Sequence, residues 1–236
     1  MSHIVEIAPV LAEVTGPDHL VHGIWNSRDQ TERVATERGH GYERPADGPV
    51  TAAALGELLA RADALILAPT VAAATGMWQP ADGEVAGRLL GHRLLDALSA
   101  ERPELPIVLV SHFLVGHGVT HRNAKPNTWA LHALEAHLRA GRNPYTIVRP
   151  TWLSTINDPD YRTRLTGDRN ADGLVSTDSV ARTVLTAIEH PESAAGRTVA
   201  VYDLSMPGAT DGEDLAARFA ALEPDHEARV REAVAG

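Results

Sequence analysis

Ser111, His112, His117 and His121 are the side chains of this chain best suited, by type and spacing, to move protons. They stand in Ser111-His112-Phe113-Leu114-Val115-Gly116-His117-Gly118-Val119-Thr120-His121, three imidazoles within ten residues. Histidine ionises near neutrality, so one ring can take and give a proton without a redox partner. His112 directly follows the apolar run Ile107-Val108-Leu109-Val110 and is expected to act as general base or hydrogen-bond donor, with Ser111 fixing a substrate oxygen and His117 as a second proton carrier. The alternative is a polar surface loop in a chain of 12 histidines. The three rings would also suit a metal by residue type. However, His112 and His117 are not at His-x-x-x-His spacing and the run holds no carboxylate, so no metal is expected.

Other candidates are more scattered. Tyr161, closing Asn157-Asp158-Pro159-Asp160-Tyr161, would serve as proton donor with Asp158 as base, or the segment is a solvated turn. Trp78, Trp129 and Trp152 are three of four tryptophans in a chain with 4% aromatic residues. If two of them face one cavity they predict a flat or polycyclic ligand; otherwise they pack in core or rim. Thr70, Thr151 and His121 complete the expected substrate contacts. Lys125 is the only lysine; desolvated it would form a Schiff base, but its polar loop Ala124-Lys125-Pro126 reads as solvated. Asp168 to Gly173 has part of a calcium-loop pattern without the downstream glutamate, so no calcium is expected.

Positioning these groups requires a parallel sheet. Short apolar, β-branched runs alternate with segments of helical periodicity, the pattern of strands covered by helices on both faces. Strands are expected at 4–8, 20–25, 63–68, 106–110, 145–148 and 198–202. Helices are expected at 30–38, 50–61 (Thr51 capping), 83–100, 128–140, 177–189 (Ser176 or Thr177 capping) and 212–222. In such sheets ligands bind beyond the C-terminal strand ends. That places Thr70, Ser111-His112 and Thr151-Trp152 around one cleft, with the loop from 75 to 83, which carries Trp78, over its mouth.

With 236 residues the chain suits one domain over 1–236, with a variable substrate-facing segment near 151–175. A net charge of -10 argues against a nucleic-acid or anionic-membrane surface. The lack of cysteine excludes disulfides and thiolate chemistry. No run approaches the roughly 18 apolar residues of a membrane span, and no leader is apparent at the N-terminus, so a cytoplasmic protein is expected. The single lysine among 21 basic residues suggests a GC-rich, actinobacterial genome.

Arg61-Ala62-Asp63-Ala64-Leu65-Ile66, Ile107-Val108-Leu109-Val110-Ser111, Pro144-Tyr145-Thr146-Ile147-Val148-Arg149-Pro150-Thr151-Trp152-Leu153 and Gly173-Leu174-Val175-Ser176-Thr177-Asp178-Ser179-Val180-Ala181 occur in that order over roughly 60–202. Together they resemble the atypical short-chain dehydrogenase/reductase family, in particular its NmrA-like, NAD(P)-binding branch. The resemblance implies a doubly wound, mostly parallel α/β sheet of the Rossmann type. Two departures from the family stand out. Its glycine-rich phosphate turn is replaced by Ala8-Pro9-Val10-Leu11, and the eleven residues between Ala8 and Leu20 imply a truncated first βα unit. Its Tyr-x-x-x-Lys pair is missing from the helix that follows Lys125.

The expectation is therefore a cofactor-free enzyme performing acid–base chemistry (a cyclase, isomerase, dehydratase or lyase) on a hydrophobic, polyketide-like small molecule. One alternative is an NAD(P)H-dependent oxidoreductase holding NADP or NAD through Pro9, Asn26 and Arg28, where Asn26-Ser27 and Arg28 would follow the second strand. Another is an NmrA-like ligand sensor without activity. A small-molecule partner is expected in each case, and relatives occur as monomers and homodimers.

Overall fold

The structure, a computed structural model, describes residues 1–14, 20–70, 79–121, 124–154, 161–205 and 212–226. Trp78, Asp158 and the Gly16-Pro17 turn lie outside the described residues, as does the Tyr161 side chain. The strands are β1 (His3–Ile7), β2 (Leu20–His22), β3 (Gly41–Glu43), β4 (Gly48–Val50), β5 (Ala64–Leu67), β6 (Ile107–Val110), β7 (Tyr145–Pro150), β8 (Trp152–Ser154), β9 (Tyr161–Thr166), β10 (Leu174–Ser176) and β11 (Arg197–Ser205). The helices are α1 (Arg28–Glu37), α2 (Ala52–Arg61), α3 (Pro80–Leu90), α4 (Asp96–Glu101), α5 (Leu114–His117), α6 (Pro126–Ala140), α7 (Thr177–Glu189), α8 (Pro191–Ala194) and α9 (Gly212–Ala220).

Seven strands form the central sheet in the order β3-β1-β5-β6-β7-β11-β9. All neighbours are parallel except β9, which runs antiparallel to β11. This is the mostly parallel Rossmann-like sheet that the resemblance implies. Period-two alternation divides each apolar run between two layers. Val5, Ile7, Leu65, Leu67, Ile107 and Leu109 pack with Leu59 of α2, Leu90 of α3 and Leu134 of α6. Ile4, Ile66, Val108, Val110 and Val148 pack with Val34 of α1, Val184 of α7 and Phe219 of α9.

Helix ends follow local chemistry. Thr51 Oγ1 accepts the Ala54 amide at 3.2 Å and Ser176 Oγ accepts the Ser179 amide at 3.1 Å, so both expected caps are in place. Gly39, at φ 78°, ends α1. The expected helix 83–100 runs from Pro80 to Glu101 and is interrupted by a π-turn at Gly91–Leu95 that joins α3 to α4.

α3 lies on α6 almost backbone to backbone. Glycines recur every four residues at 83, 87 and 91; a Cβ on Gly83 would fall 2.0 Å from the Pro126 carbonyl oxygen, and one on Gly87 2.2 Å from that of Ala130. Any side chain there forces the helices apart.

The start of the chain departs from expectation. Leu20–His22 is no second strand of the central sheet; it pairs antiparallel with Gly48–Val50 in a small separate sheet. The strand beside β1 is Gly41–Glu43, reached through α1. A parallel neighbour needs a helical crossover, and α1 is that crossover. The first βα unit is thus not truncated. Twenty residues separate β1 from α1.

Candidate functional site

The strand order switches between β1 and β5: from β1 the chain builds β3 on one side, then returns to lay β5, β6, β7 and β11 on the other. Crevices at such a switch bind ligands in open α/β sheets. A cavity of about 290 Å³ opens there, lined among others by Asn26, Ser27, Thr70, Ser111, His112 and Thr151.

Its floor depends on one glycine. The Gly23 amide donates to the Ala8 carbonyl at 2.8 Å, and a Cβ on Gly23 would lie 2.7 Å from Thr70 Cγ2 and 2.8 Å from Val10 Cγ2. Only glycine lets the segment 23–27 lie this low across the ends of β1 and β5. That segment delivers Trp25, Asn26 and Ser27 to the cavity and starts α1 at Arg28. No side chain caps α1, and the Ser27 hydroxyl is buried without a hydrogen-bond partner. A helix N-terminus without a side-chain cap and with an orphaned hydroxyl is chemically matched to an anion. The residues present therefore fit a pyrophosphate, although the glycine-rich turn is absent.

His112 follows β6 and is half-buried. Its ring stacks on Phe113 (centroids 4.8 Å apart) and meets Trp152 edge-on at 6.0 Å. Burial, followed by the charge of a protonated His117, pushes its pKa down to about 4. The Leu114 amide donates to Nδ1 at 3.2 Å, so the neutral ring carries its proton on Nε2. His112 is thereby set up to donate a hydrogen bond through Nε2. NMR of the imidazole nitrogens is expected to find the Nε2–H tautomer with a midpoint near 4; a midpoint near 6.5 would place the ring in solvent.

The other expected site residues divide between cavity and surroundings. Thr70 and Thr151 line the cavity, with their hydroxyls donating to the carbonyls of Ile24 (3.3 Å) and Val201 (3.0 Å). Ser111 donates to Glu135 Oε1 at 2.6 Å, which leaves its lone pairs to accept from a ligand. His117 ends α5, lies 3.2 Å from the Ala171 carbonyl through Nε2 and meets His121 edge-on at 5.2 Å; neither lines the cavity. Trp129 on α6 is also outside the lining, which takes Asn127 and Leu131 from that helix. Trp152 stands 43% exposed beside His112, next to Leu153, which does line the cavity, and opposite Leu174 of β10. Of the three conditional dinucleotide contacts, Asn26 lines the cavity. Pro9 is buried and bridges to His22, and Arg28 lies 3.2 Å from Asp29 and 3.5 Å from Asp47. With the second sheet strand at β3, the residue following it is Arg44, 3.2 Å from Asp47, and not Asn26-Ser27.

Behind Ser111 lies a buried ion network. Glu135 receives Arg149 through Nε at 2.9 Å and Nη2 at 2.6 Å, and Arg139 through Nη2 at 2.9 Å. Burial alone would raise the Glu135 pKa; Arg149, Arg139 and Ser111 outweigh it and hold the carboxyl below its usual range. A larger cavity of about 780 Å³ adjoins this network and shares no lining residue with the switch-point crevice. Its arginines and carboxylates largely satisfy one another, so the smaller crevice, with its orphaned donor, is the better ligand site.

Gly23, Trp25, Asn127 and Leu153 are site residues that sequence reasoning missed, and Ser27, read there with Asn26 as following the second strand, stands instead at the start of α1. Gly23 within the run 20–25 is a break signal, and Ser27 before the helical period starting at Arg28 is an N-cap type; the two together mark a strand-to-helix turn.

A sequence model described as NAD(P)H-binding matches residues 11–191. No curated protein matches the chain in sequence. Among solved structures, a Bacillus halodurans protein assigned to the NAD-dependent epimerase/dehydratases is 13% identical and superposes with a TM-score of 0.65 over 92% of this chain and 100% of its own. The oxidoreductase ylbE of Lactococcus lactis is 12% identical with a TM-score of 0.64, covering 95% and 100%. A short-chain dehydrogenase/reductase superfamily protein of Agrobacterium tumefaciens, solved with bound NAD, is 13% identical with a TM-score of 0.53, covering 99% and 98%. These likenesses establish the fold that the resemblance implied. The NAD(P)H-binding match over residues 11–191 does not support the expectation that no cofactor is kept.

Proposed function

We propose a function from one premise: this chain belongs to the NAD(P)H-binding family. It holds a nicotinamide dinucleotide across the switch-point crevice and acts as an oxidoreductase or epimerase on a small, largely apolar molecule carrying a carbonyl or hydroxyl group. The observation that carries this reading is Ser27, a buried hydroxyl without a partner at the uncapped start of α1. Ser27 and the first amides of α1 would take the pyrophosphate, and the dipole of the helix favours its charge. Arg44 after β3 and Arg28 on α1 share Asp47 and would face the adenosine end, which favours the 2′-phosphate of NADP.

A bound nicotinamide supplies or accepts hydride. His112, neutral with Nε2–H as donor, would hold the substrate oxygen and polarise its bond to carbon; Ser111 and Thr151 accept hydrogen bonds beside it. Trp152 and Leu153, exposed together at the rim, suit an apolar substrate.

The test is fluorescence titration with NADPH and NADH, read through Trp25 in the cavity wall. Micromolar binding is expected, tighter for NADPH. Ser27→Asp leaves a residue type suited to a helix start but sets a negative charge where the pyrophosphate belongs, and should weaken binding by more than about tenfold. Undiminished affinity in that variant would move the pyrophosphate away from α1.

A second reading, cofactor-free acid–base chemistry in the same crevice, draws support from α6, which has no tyrosine and is preceded by the exposed Lys125. A wild-type chain that binds neither dinucleotide would leave this reading in place of the first.

A further inference from the structure

The π-turn that interrupts the α3–α4 helix faces α6 and brings together His92, Asp96 and His137, none of which lines the proposed dinucleotide crevice. His92 Nδ1 lies 2.9 Å from Asp96 Oδ2, and His137 Nε2 lies 2.6 Å from Asp96 Oδ1. One donor atom from each residue falls within 4.8 Å of the others, and the two imidazoles meet edge-on with centroids 4.9 Å apart. Among the described residues this is the one group of three histidine or carboxylate side chains able to converge on a metal ion.

We propose that His92, Asp96 and His137 form a binding site for a zinc-class divalent cation that clips the π-turn and α4 to α6. Two imidazole nitrogens and a carboxylate oxygen are ligands that zinc takes at about 2.0–2.2 Å, which sets neighbouring ligand atoms about 3–3.5 Å apart. The present separations bracket that value, so rotation of exposed side chains completes the set. Without metal, both rings donate to the same carboxylate. Binding replaces these two N–H···O hydrogen bonds with two nitrogen–metal bonds, and each neutral ring's proton passes through solvent to its other nitrogen.

The backbone beneath the site is fixed. A Cβ on Gly91 would lie 2.7 Å from His137 Cγ, so the turn closes on the His137 ring only because residue 91 is glycine. His92 and Asp96, one helical turn apart, share a face through the π-turn. The His92 and Asp96 side chains are 65% and 56% exposed, leaving a fourth position for water, whereas His137 is 19% exposed and anchors the site.

The experiment is calorimetric titration of the untagged chain with zinc chloride, paired with cobalt(II) absorption and thermal melting. One zinc per chain with micromolar affinity, a tetrahedral cobalt spectrum and a raised Tm are expected. His92→Ala, Asp96→Asn and His137→Ala should each weaken binding by more than about tenfold and abolish the Tm rise, while His117→Ala leaves both intact. No saturable micromolar binding, or binding that the three variants leave unchanged, would overturn the proposal. Each variant's melt without zinc reports its folding, and dinucleotide affinity, read separately, should not follow the zinc response.

Discussion

Glu135→Leu is expected to cost the fold about 3–5 kcal/mol, the range for removing one partner of a buried ion pair. Glu135 is fully buried, and its two oxygens receive Arg149 as a two-pronged fork, together with Arg139 and the Ser111 hydroxyl. Leucine strands the Arg149 guanidinium and deprives Ser111 of its acceptor. Arg139 suffers less, because it also binds Asp225 at 3.2 Å and Thr198 at 2.8 Å. The loss comes from the unpaired charge more than from the pair itself, so Glu135→Leu combined with Arg149→Met should recover much of it. Urea denaturation followed by circular dichroism gives both values. A single-variant loss below about 1 kcal/mol would mean that water from the adjoining cavity already solvates these arginines.

Gly87→Ala is expected to destabilise the protein by about 1–3 kcal/mol, whereas Gly56→Ala should stabilise it by about 0.5–1 kcal/mol. Both glycines sit inside helices, where alanine is intrinsically the better residue. Gly56, in α2, has nothing within 4 Å of its would-be Cβ, so propensity alone decides the sign. At Gly87 the added carbon would meet the Ala130 oxygen at 2.2 Å and its carbonyl carbon at 2.9 Å. These are backbone atoms of α6 and cannot rotate away, so the two helices must separate along with the core between them. Thermal melts of the two variants should move in opposite directions. A stabilised Gly87→Ala would show that α3 can slide over α6 without loss of packing.

Much of the fold was legible because buried parallel strands are short uninterrupted apolar runs, and 64–67 and 107–110 are of that kind. Helix limits were legible where a side chain closes the end, as Thr51 and Ser176 do. The short strands between β1 and α2 were not. β3 is Gly-Tyr-Glu and β4 is Gly-Pro-Val, too short for any periodicity. Leu20-Val21-His22 has a strand's composition, but its partner is a local edge and not the main sheet. That error misplaced Ser27, since a residue assigned beyond a second strand is not sought at the mouth of the first. The crevice residues from β5, β6 and β7 were found because strand ends are fixed once strands are. The His92–Asp96–His137 group went unseen because the two histidines lie on different elements, and only the tertiary pairing of α3 with α6 unites them.

The antiparallel strand at the sheet's margin sets an order of assembly. β9 emerges from synthesis before β11, yet β11 is the strand it pairs with in the sheet, and β11 must itself first dock beside β7. Until then β9 is an extended ribbon with nothing to bind, the condition in which nascent chains join one another. Its sequence, Tyr-Arg-Thr-Arg-Leu-Thr, sets guanidiniums at its second and fourth positions, and charges so placed are what keep a waiting ribbon apart from its neighbours.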